Sequence, residues 1–284
     1  QYFRNPVDLA DAVATISELL DGRELSLGLA RGNAGTPRLV RSPKPVVMLR
    51  EAAGCLRRLL HGGTVVFQDY PALAAYFNFV PDRPFKLNFA PSSPVPLYCG
   101  GNGPLSLAIG GELMDGILFG GTFIAMARAG RLAGLLDTAE EAARQHGRPA
   151  PLPRVAEIKI YLSHDGQAAR RFSRHSIGGR ILSLRDRGFT VDDYGRLGIA
   201  EADVDRMDEA RGRGASAEAM AELVTDSMID GFAIAGEPGF CRDKMAEVCQ
   251  LARQHGFQQL MFSELGPDAT EGLDLLCREI LPVS

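Results

Sequence analysis

Two stretches of this chain end apolar runs in glycines. The first is Pro96-Leu97-Tyr98-Cys99-Gly100-Gly101-Asn102-Gly103-Pro104, and the second is Asp115-Gly116-Ile117-Leu118-Phe119-Gly120-Gly121-Thr122. Each reads as a short strand, a glycine turn and the opening of a helix. Glycine lets backbone approach a ligand closely, and the free N–H groups at a helix start face an anion. The chemistry this spacing supports is the holding of a phosphate. Glycine-rich turns between a strand and a helix also occur simply as tight turns, but two consecutive units of one form favour a phosphorylated ligand held at the strand ends of a (β/α) barrel.

The elements that would position these turns follow in chain order. Asn5-Pro6 caps a helix in which Leu9, Val13, Ile16 and Leu20 recur at helical spacing, ending at Asp21-Gly22. Glu24 to Leu29 alternates as a strand and runs into the loop Ala30-Arg31-Gly32-Asn33-Ala34-Gly35. After a polar loop to Pro45, a helix carries Leu49, Ala53, Leu56 and Leu60 on one face and closes at Gly62-Gly63. Thr64 to Phe67 is a short strand. Residues 70–94 form a long excursion with Tyr70, Tyr76, Phe77, Phe79, Phe85 and Phe89, a substrate wall or an outer plug. Val95 to Cys99 and Gly116 to Phe119 are strands, with helices over Leu105 to Met114 and from about Ile124 to His146. Val155 to Leu162 is a strand. Residues 166–230 are polar and helix-rich, an inserted helical segment that His164 and His175 begin; both read as surface histidines. Phe232 to Gly236 leads into a helix containing Met245, Val248, Cys249 and Ala252. Gln258 to Phe262 is the last strand, before a final helix marked by Leu273, Leu276 and Ile280.

Alternation of strand and helix predicts an α/β fold with a parallel sheet. Residues 1–284 read as a single barrel domain, because no second boundary or short repeat is visible. Five βα units start near Glu24, Val95, Gly116, Val155 and Gln258, whereas a closed barrel has eight strands. The expectation is that the chain carries strands 4 to 8 and that the first three of the parent fold lie outside it.

Composition narrows the function. The 284 residues are 45% hydrophobic with a net charge of −4, which supplies a core and leaves no basic footprint for nucleic acid. No apolar run approaches the roughly 20 residues of a membrane span, and the first residues carry no signal-peptide core. A soluble cytoplasmic protein is expected. Cys55, Cys99, Cys241, Cys249 and Cys277 are odd in number and lack the spacing of zinc ligands or a disulfide framework, so they read as reduced thiols without metal. His61, His146 and His255 each stand beside a glycine at a helix end, where they complement the helix dipole.

Four stretches together resemble the luciferase-like superfamily. They are Arg4-Asn5-Pro6 through Asp21-Gly22-Arg23, Leu27 to Gly32, Pro94 to Gly120, and Phe232 to Pro238 through Gly256. That family comprises flavin-dependent monooxygenases and oxidoreductases using the deazaflavin coenzyme F-420, methylenetetrahydromethanopterin reductase among them. The resemblance covers essentially the whole chain. It implies a TIM (β/α)8 barrel of the luciferase-like type, with coenzyme F-420 or FMN at the C-terminal rim. Cofactor-binding residues are then Gly100, Gly101, Asn102, Gly103 and Pro104, with backbone N–H groups around Gly101 to Gly103 receiving phosphate. Gly120, Gly121 and Thr122 follow, with the Thr122 hydroxyl as a donor, and Arg31 is the charged partner, able to grip phosphate in a bidentate way. Many deazaflavin-dependent members carry an acid where this chain has Asn33, which can contact substrate or cofactor by hydrogen bonding but cannot act as a general acid. No catalytic acid or base is assigned.

The implied activity is hydride transfer between a reduced deazaflavin or flavin and a small organic substrate. The Cys99–Pro104 turn looks more like the reductase members. The alternatives are an FMN-dependent monooxygenase using dioxygen and, in another class, a non-catalytic flavin-binding barrel or a non-functional fragment. Family members are often dimeric, so a homodimer is an expectation as well.

Overall fold

The computed structural model describes residues 3–32, 40 and 44–281. They gather into two compact units, Gln1–Leu118 with Leu135–Arg154, and Phe119–Gly134 with Val155–Ser284.

In the first unit, helix α1 (Pro6–Leu19) starts as the sequence predicts. The Asn5 side chain accepts the Asp8 amide at 2.9 Å and Pro6 takes the first position, where a missing N–H costs nothing. The chain leaves α1 through Asp21 and Gly22, both at positive φ. Strand β1 is Leu27–Ala30. It is shorter than the alternation over Glu24 to Leu29 predicts and ends one residue later, because its pairing begins where the Leu27 amide meets the Pro96 carbonyl. Helix α2 (Pro45–Leu60) buries Leu49, Ala53, Leu56 and Leu60, each leucine contributing about 1.5–3 kcal/mol on full burial.

The excursion at 70–94 is structured. Strand β2 (Val65–Val66) pairs antiparallel with β3 (Pro84–Phe85), and helix α3 (Pro71–Phe77) lies between them in sequence. Phe67 stacks on Phe79 at 4.0 Å between ring centroids, so the aromatic residues build a small core of their own. Strand β4 (Leu97–Gly100) runs parallel to β1, with Ala30 opposite Gly100, and to β5 (Gly116–Phe119), with Gly100 opposite Leu118. Helix α4 (Pro104–Leu113) connects β4 to β5. A Cβ on Gly111 would stand 1.9 Å from the Ala139 carbonyl oxygen, so only glycine permits that approach.

The second unit corrects three expectations. The helix expected from Ile124 to His146 is two helices, α5 (Phe123–Arg128) and α6 (Leu132–Gln145), broken at Gly130 with φ +74°. Strand β6 (Arg154–Leu162) pairs in parallel with β8 (Gln259–Leu265), which reaches three residues past Phe262. Its end also pairs in parallel with β7 (Ile234–Gly236), a strand that the count of five units omits. Three residues are too few to show alternation. The segment 166–230 is helical as expected: α7 (Gly166–Arg185), α8 (Val191–Arg196), α9 (Glu201–Gly212), α10 (Ala217–Glu222) and α11 (Asp226–Phe232). Helix α12 (Pro238–Gln254) and α13 (Ala269–Leu275) complete the chain, the latter continued by a π turn over Leu276–Ile280. No helix among the described residues is long and apolar enough to cross a membrane.

Candidate functional site

The first glycine turn closes β4 and opens α4. Gly103 is the N-cap in extended backbone, with no side-chain cap, and Pro104 occupies the first helical position. Leu107 is the first residue to donate within the helix, to the Gly103 carbonyl. The amides of Leu105 and Ser106 therefore have no acceptor inside α4. A Cβ on Gly103 would meet nothing within 4 Å, and Leu105 is 64% exposed beside it. This end of the helix is open and carries the positive end of the dipole. The Gly101 amide is already engaged with the Leu118 carbonyl at 3.3 Å. Sequence reasoning pointed to amides around Gly101 to Gly103 and missed Leu105 and Ser106, which a Gly-Pro helix start could have indicated.

Arg31 follows directly on Ala30, whose strand partner is Gly100. It is exposed, on a bend at the C-terminal end of β1. The structure thus places Arg31 and Gly101 one residue beyond a paired position on neighbouring strands. Asn33 lies outside the described residues.

Behind this turn, at the start of the strands, Asp115 ties β4 to α2. Its carboxylate accepts the Leu97 amide at 3.0 Å and pairs with Arg57 at 2.8 Å and Arg148 at 3.1 Å. Burial pushes the carboxyl up, but the Leu97 amide and the two guanidinium groups outweigh it and hold it below the usual range.

The second glycine turn is built differently. Its Thr122 and Phe123 amides both fold back onto the Gly120 carbonyl, at 2.6 and 3.1 Å. The Gly121 amide donates to Glu157 Oε2 at 2.9 Å. Thr122 is buried, 6% exposed, and makes no side-chain cap for α5. Under the turn, Lys159 Nζ lies 2.6 Å from Glu157 Oε1 and 3.0 Å from Glu264 Oε1, and Ser263 donates to Glu157 at 2.9 Å. Burial pushes the Glu157 carboxyl up, while the Lys159 hydrogen bond and charge, with Ser263 and Arg180, overcome it and hold the group below its usual range. Arg180 adds a 3.7 Å pairing to Glu264 and donates to Ser176 at 3.2 Å. Tyr161, fully buried on the same strand face as Glu157 and Lys159, completes the cluster; burial pushes its phenol up to about 12. Glu264 and Leu265 both hold positive φ, +83° and +59°, conformations that cost side-chain-bearing residues of order 1–3 kcal/mol. Glu157, Lys159 and Glu264 were not singled out from sequence. The alternation of Glu157, Lys159 and Tyr161 within an otherwise apolar strand is the signal that was available.

Other candidates resolve into structural roles. His61 and His146 hold the carbonyls of Arg57 and Ala142 at their helix ends, at 2.7 and 2.9 Å. Cys55, Cys99 and Cys241 are buried thiols, each pushed up to about 12 by burial. No cluster able to hold a metal occurs among the described residues. A hollow of about 540 Å³ between α2 and α3, lined by Val47, Met48, Ala72, Ala75 and Tyr76 with Glu51, takes part of its wall from the 70–94 excursion and none of the predicted cofactor-binding residues.

The family model of luciferase-like monooxygenases matches residues 1–255. This chain belongs to the luciferase-like monooxygenase family. It is 27% identical over 302 residues to 5,10-methylenetetrahydromethanopterin reductase of Archaeoglobus fulgidus, covering 99% of this chain and 80% of the relative. Among solved structures it resembles coenzyme F-420-dependent tetrahydromethanopterin reductase of Methanopyrus kandleri, with a TM-score of 0.72 and 22% identity over 99% of this chain and 80% of that one. It also resembles an F-420-dependent secondary alcohol dehydrogenase, with a TM-score of 0.67 and 19% identity over 99% and 76% of the two chains. The fold of this luciferase-like chain is accordingly the α/β TIM barrel of its family, and its class is oxidoreductase.

Proposed function

We propose that this luciferase-like protein binds coenzyme F-420 and transfers hydride between the reduced deazaflavin and a small organic substrate. One observation carries the cofactor reading: the open N-terminus of α4 at the end of β4, with glycine at its cap and Arg31 on the neighbouring strand end. Amides of Leu105 and Ser106 present N–H groups to an anion, and Arg31 supplies a bidentate guanidinium. These residues fit an anionic cofactor tail, because no side chain fills the cap and no bulk surrounds Gly103. Gly100 and Pro104 shape this turn, with Asn102 beside it. In the second unit, Gly120, Gly121 and Thr122 form the other cofactor-facing turn. The deazaflavin, when bound, supplies the hydride; the protein binds and orients it.

The F-420-dependent solved structures support this choice over FMN, while the family's own name keeps a monooxygenase, with FMN as its cofactor, as the second reading. A small molecule as substrate, a cytoplasmic site and a homodimer complete the proposal.

Fluorescence titration of the protein with F-420 and with FMN tests it. Tighter binding of F-420, weakened by Arg31→Ala, is expected. Tighter binding of FMN transfers the reading to the monooxygenase, and binding of neither refutes the cofactor site.

A further inference from the structure

We infer that Lys159 is a positioning residue that sets the conformation of the Gly120–Thr122 turn through the Glu157 carboxylate. The inference rests on the reading of that turn as cofactor-facing, and it deepens that reading by naming what holds the turn.

A half-buried carboxylate is an unusual support for a turn expected near an anionic ligand. Glu157 stands behind the turn and accepts the Gly121 N–H at 2.9 Å. Left alone, its charge would repel the ligand and resist burial. Lys159 neutralises it. Lys159 is 6% exposed, and its ammonium lies between Glu157 Oε1 at 2.6 Å and Glu264 Oε1 at 3.0 Å, so one cation serves two carboxylates. Its stem runs directly beneath the turn: a Cβ on Gly121 would be 2.5 Å from Lys159 Cε and 3.1 Å from its Cγ. Gly121 is therefore required by the lysine stem and not by ligand approach. The same ammonium reaches Glu264 in its left-handed backbone, so the turn after β5 and the end of β8 share one charge.

The groups facing Glu157 are the Gly121 amide from the turn, Lys159 from its own strand, Ser263 from β8 and the Arg180 charge from α7, with Tyr161 and Glu264 close by. Removing the ammonium leaves the half-buried Glu157 beside the more exposed Glu264 with like charge. Burial and mutual repulsion then both raise the carboxyl, so Glu157 takes up a proton at higher pH than before. A lysine that only filled space behind the turn would leave the ratio of variant to wild-type affinity independent of pH.

The experiment compares wild type with Lys159→Met and with the double variant Lys159→Met/Glu157→Gln. Each is titrated with F-420 and with FMN between pH 6 and pH 8.5. Backbone hydrogen exchange over Gly120 to Thr122 is measured on the ligand-free proteins. The expected result is a roughly tenfold weaker affinity of Lys159→Met relative to wild type at pH 8.5, shrinking as the pH falls and Glu157 protonates. Glu157→Gln in the same background should abolish this pH dependence, and Gly121 should exchange faster in Lys159→Met at pH 8.5 than in the double variant. A variant-to-wild-type affinity ratio that is constant with pH, or unchanged exchange at Gly121, overturns the inference. If wild type binds neither cofactor, the functional reading fails while the exchange data still decide the role of Lys159.

Discussion

The two glycine turns look alike as sequence and differ as structure. Gly100 to Gly103 ends in open space: a Cβ on Gly103 meets nothing, and the helix behind it lacks a cap. Gly120 to Thr122 is closed, with its Gly121 amide donated to Glu157 and its surface resting on a buried lysine. Glycine serves opposite ends in the two places. At the first turn it leaves a helix terminus free to receive an anion. At the second it makes room for a charged side chain that the protein itself supplies. Strand-turn-helix grammar with paired glycines is thus compatible with an open helix terminus and with a turn braced from behind by the protein's own side chains, and the neighbouring strand decides which.

Gly121→Ala is the sharpest way to break this contrast. The added methyl group meets the Lys159 stem at 2.5 Å from Cε and 3.1 Å from Cγ, and the lysine can give way only by pulling its ammonium from the Glu157 and Glu264 carboxylates. Overpacking of this kind costs about 1–3 kcal/mol, and displacement of the ammonium adds to it. Thermal unfolding should show a clear loss of stability, and F-420 titration a loss of affinity of about tenfold or more, equivalent to ~1.4 kcal/mol. Unchanged melting and binding would mean that the second turn is as open as the first.

Gly103→Asp comes next and separates stability from binding. Aspartate at an N-cap accepts first-turn amides and favours the dipole, so the protein should gain about 0.5–1 kcal/mol. The same carboxylate occupies the amides proposed for the cofactor and repels its anionic group. Affinity for F-420 should fall by about tenfold, or ~1.4 kcal/mol. A gain in stability without a loss in affinity would remove the anion from α4. Arg31→Ala, which deletes a charge on the exposed strand end, should weaken F-420 by a smaller factor and leave melting unchanged.

Legibility in the sequence followed the same division. The capped start of α1 and the apolar face of α2 were readable because local signals and burial agree there. So were the strand positions of Leu97 to Cys99 and Gly116 to Phe119. Gly130 broke the helix after Thr122 because its left-handed φ outweighed an otherwise continuous helical pattern. The strand Ile234–Gly236 was passed over because three buried residues have no period. The ion cluster is only half legible. Glu157 and Lys159 alternate along one apolar strand, but Glu264 lies more than a hundred residues from Glu157, and nothing near it announces that Lys159 joins them. Recognition of the family supplied the cofactor class but not this packing.

Acid provides a further comparison, since each glycine turn belongs to a strand pair tied by one carboxylate. Asp115 sits at the far end of β4 from its turn, whereas Glu157 touches its turn directly. Both carboxyls lie below their usual values in the folded protein. Each therefore contributes stability that is present above the unfolded value near 4 and is lost as pH falls through the folded one. Asp115→Asn and Glu157→Gln should each flatten the acid limb of a stability-versus-pH curve. Only Glu157→Gln should also change cofactor affinity.

The smallest expected effect is the most telling control. Gly103→Ala adds a methyl group where nothing stands within 4 Å, at φ −121°, which any residue adopts. Alanine neither caps the helix nor carries charge, so it leaves the Leu105 and Ser106 amides as they were. Replacing an N-cap glycine costs a few tenths of a kcal/mol up to about 1, because alanine caps less well. Melting should shift by no more than a few degrees, and F-420 affinity should remain within about threefold, or ~0.7 kcal/mol. Set against Gly121→Ala, the same added methyl group then reads out two different environments. A large loss of affinity from Gly103→Ala, with stability intact, would show that the cofactor packs directly on that Cα, and would move its contact from the helix amides to the glycine itself.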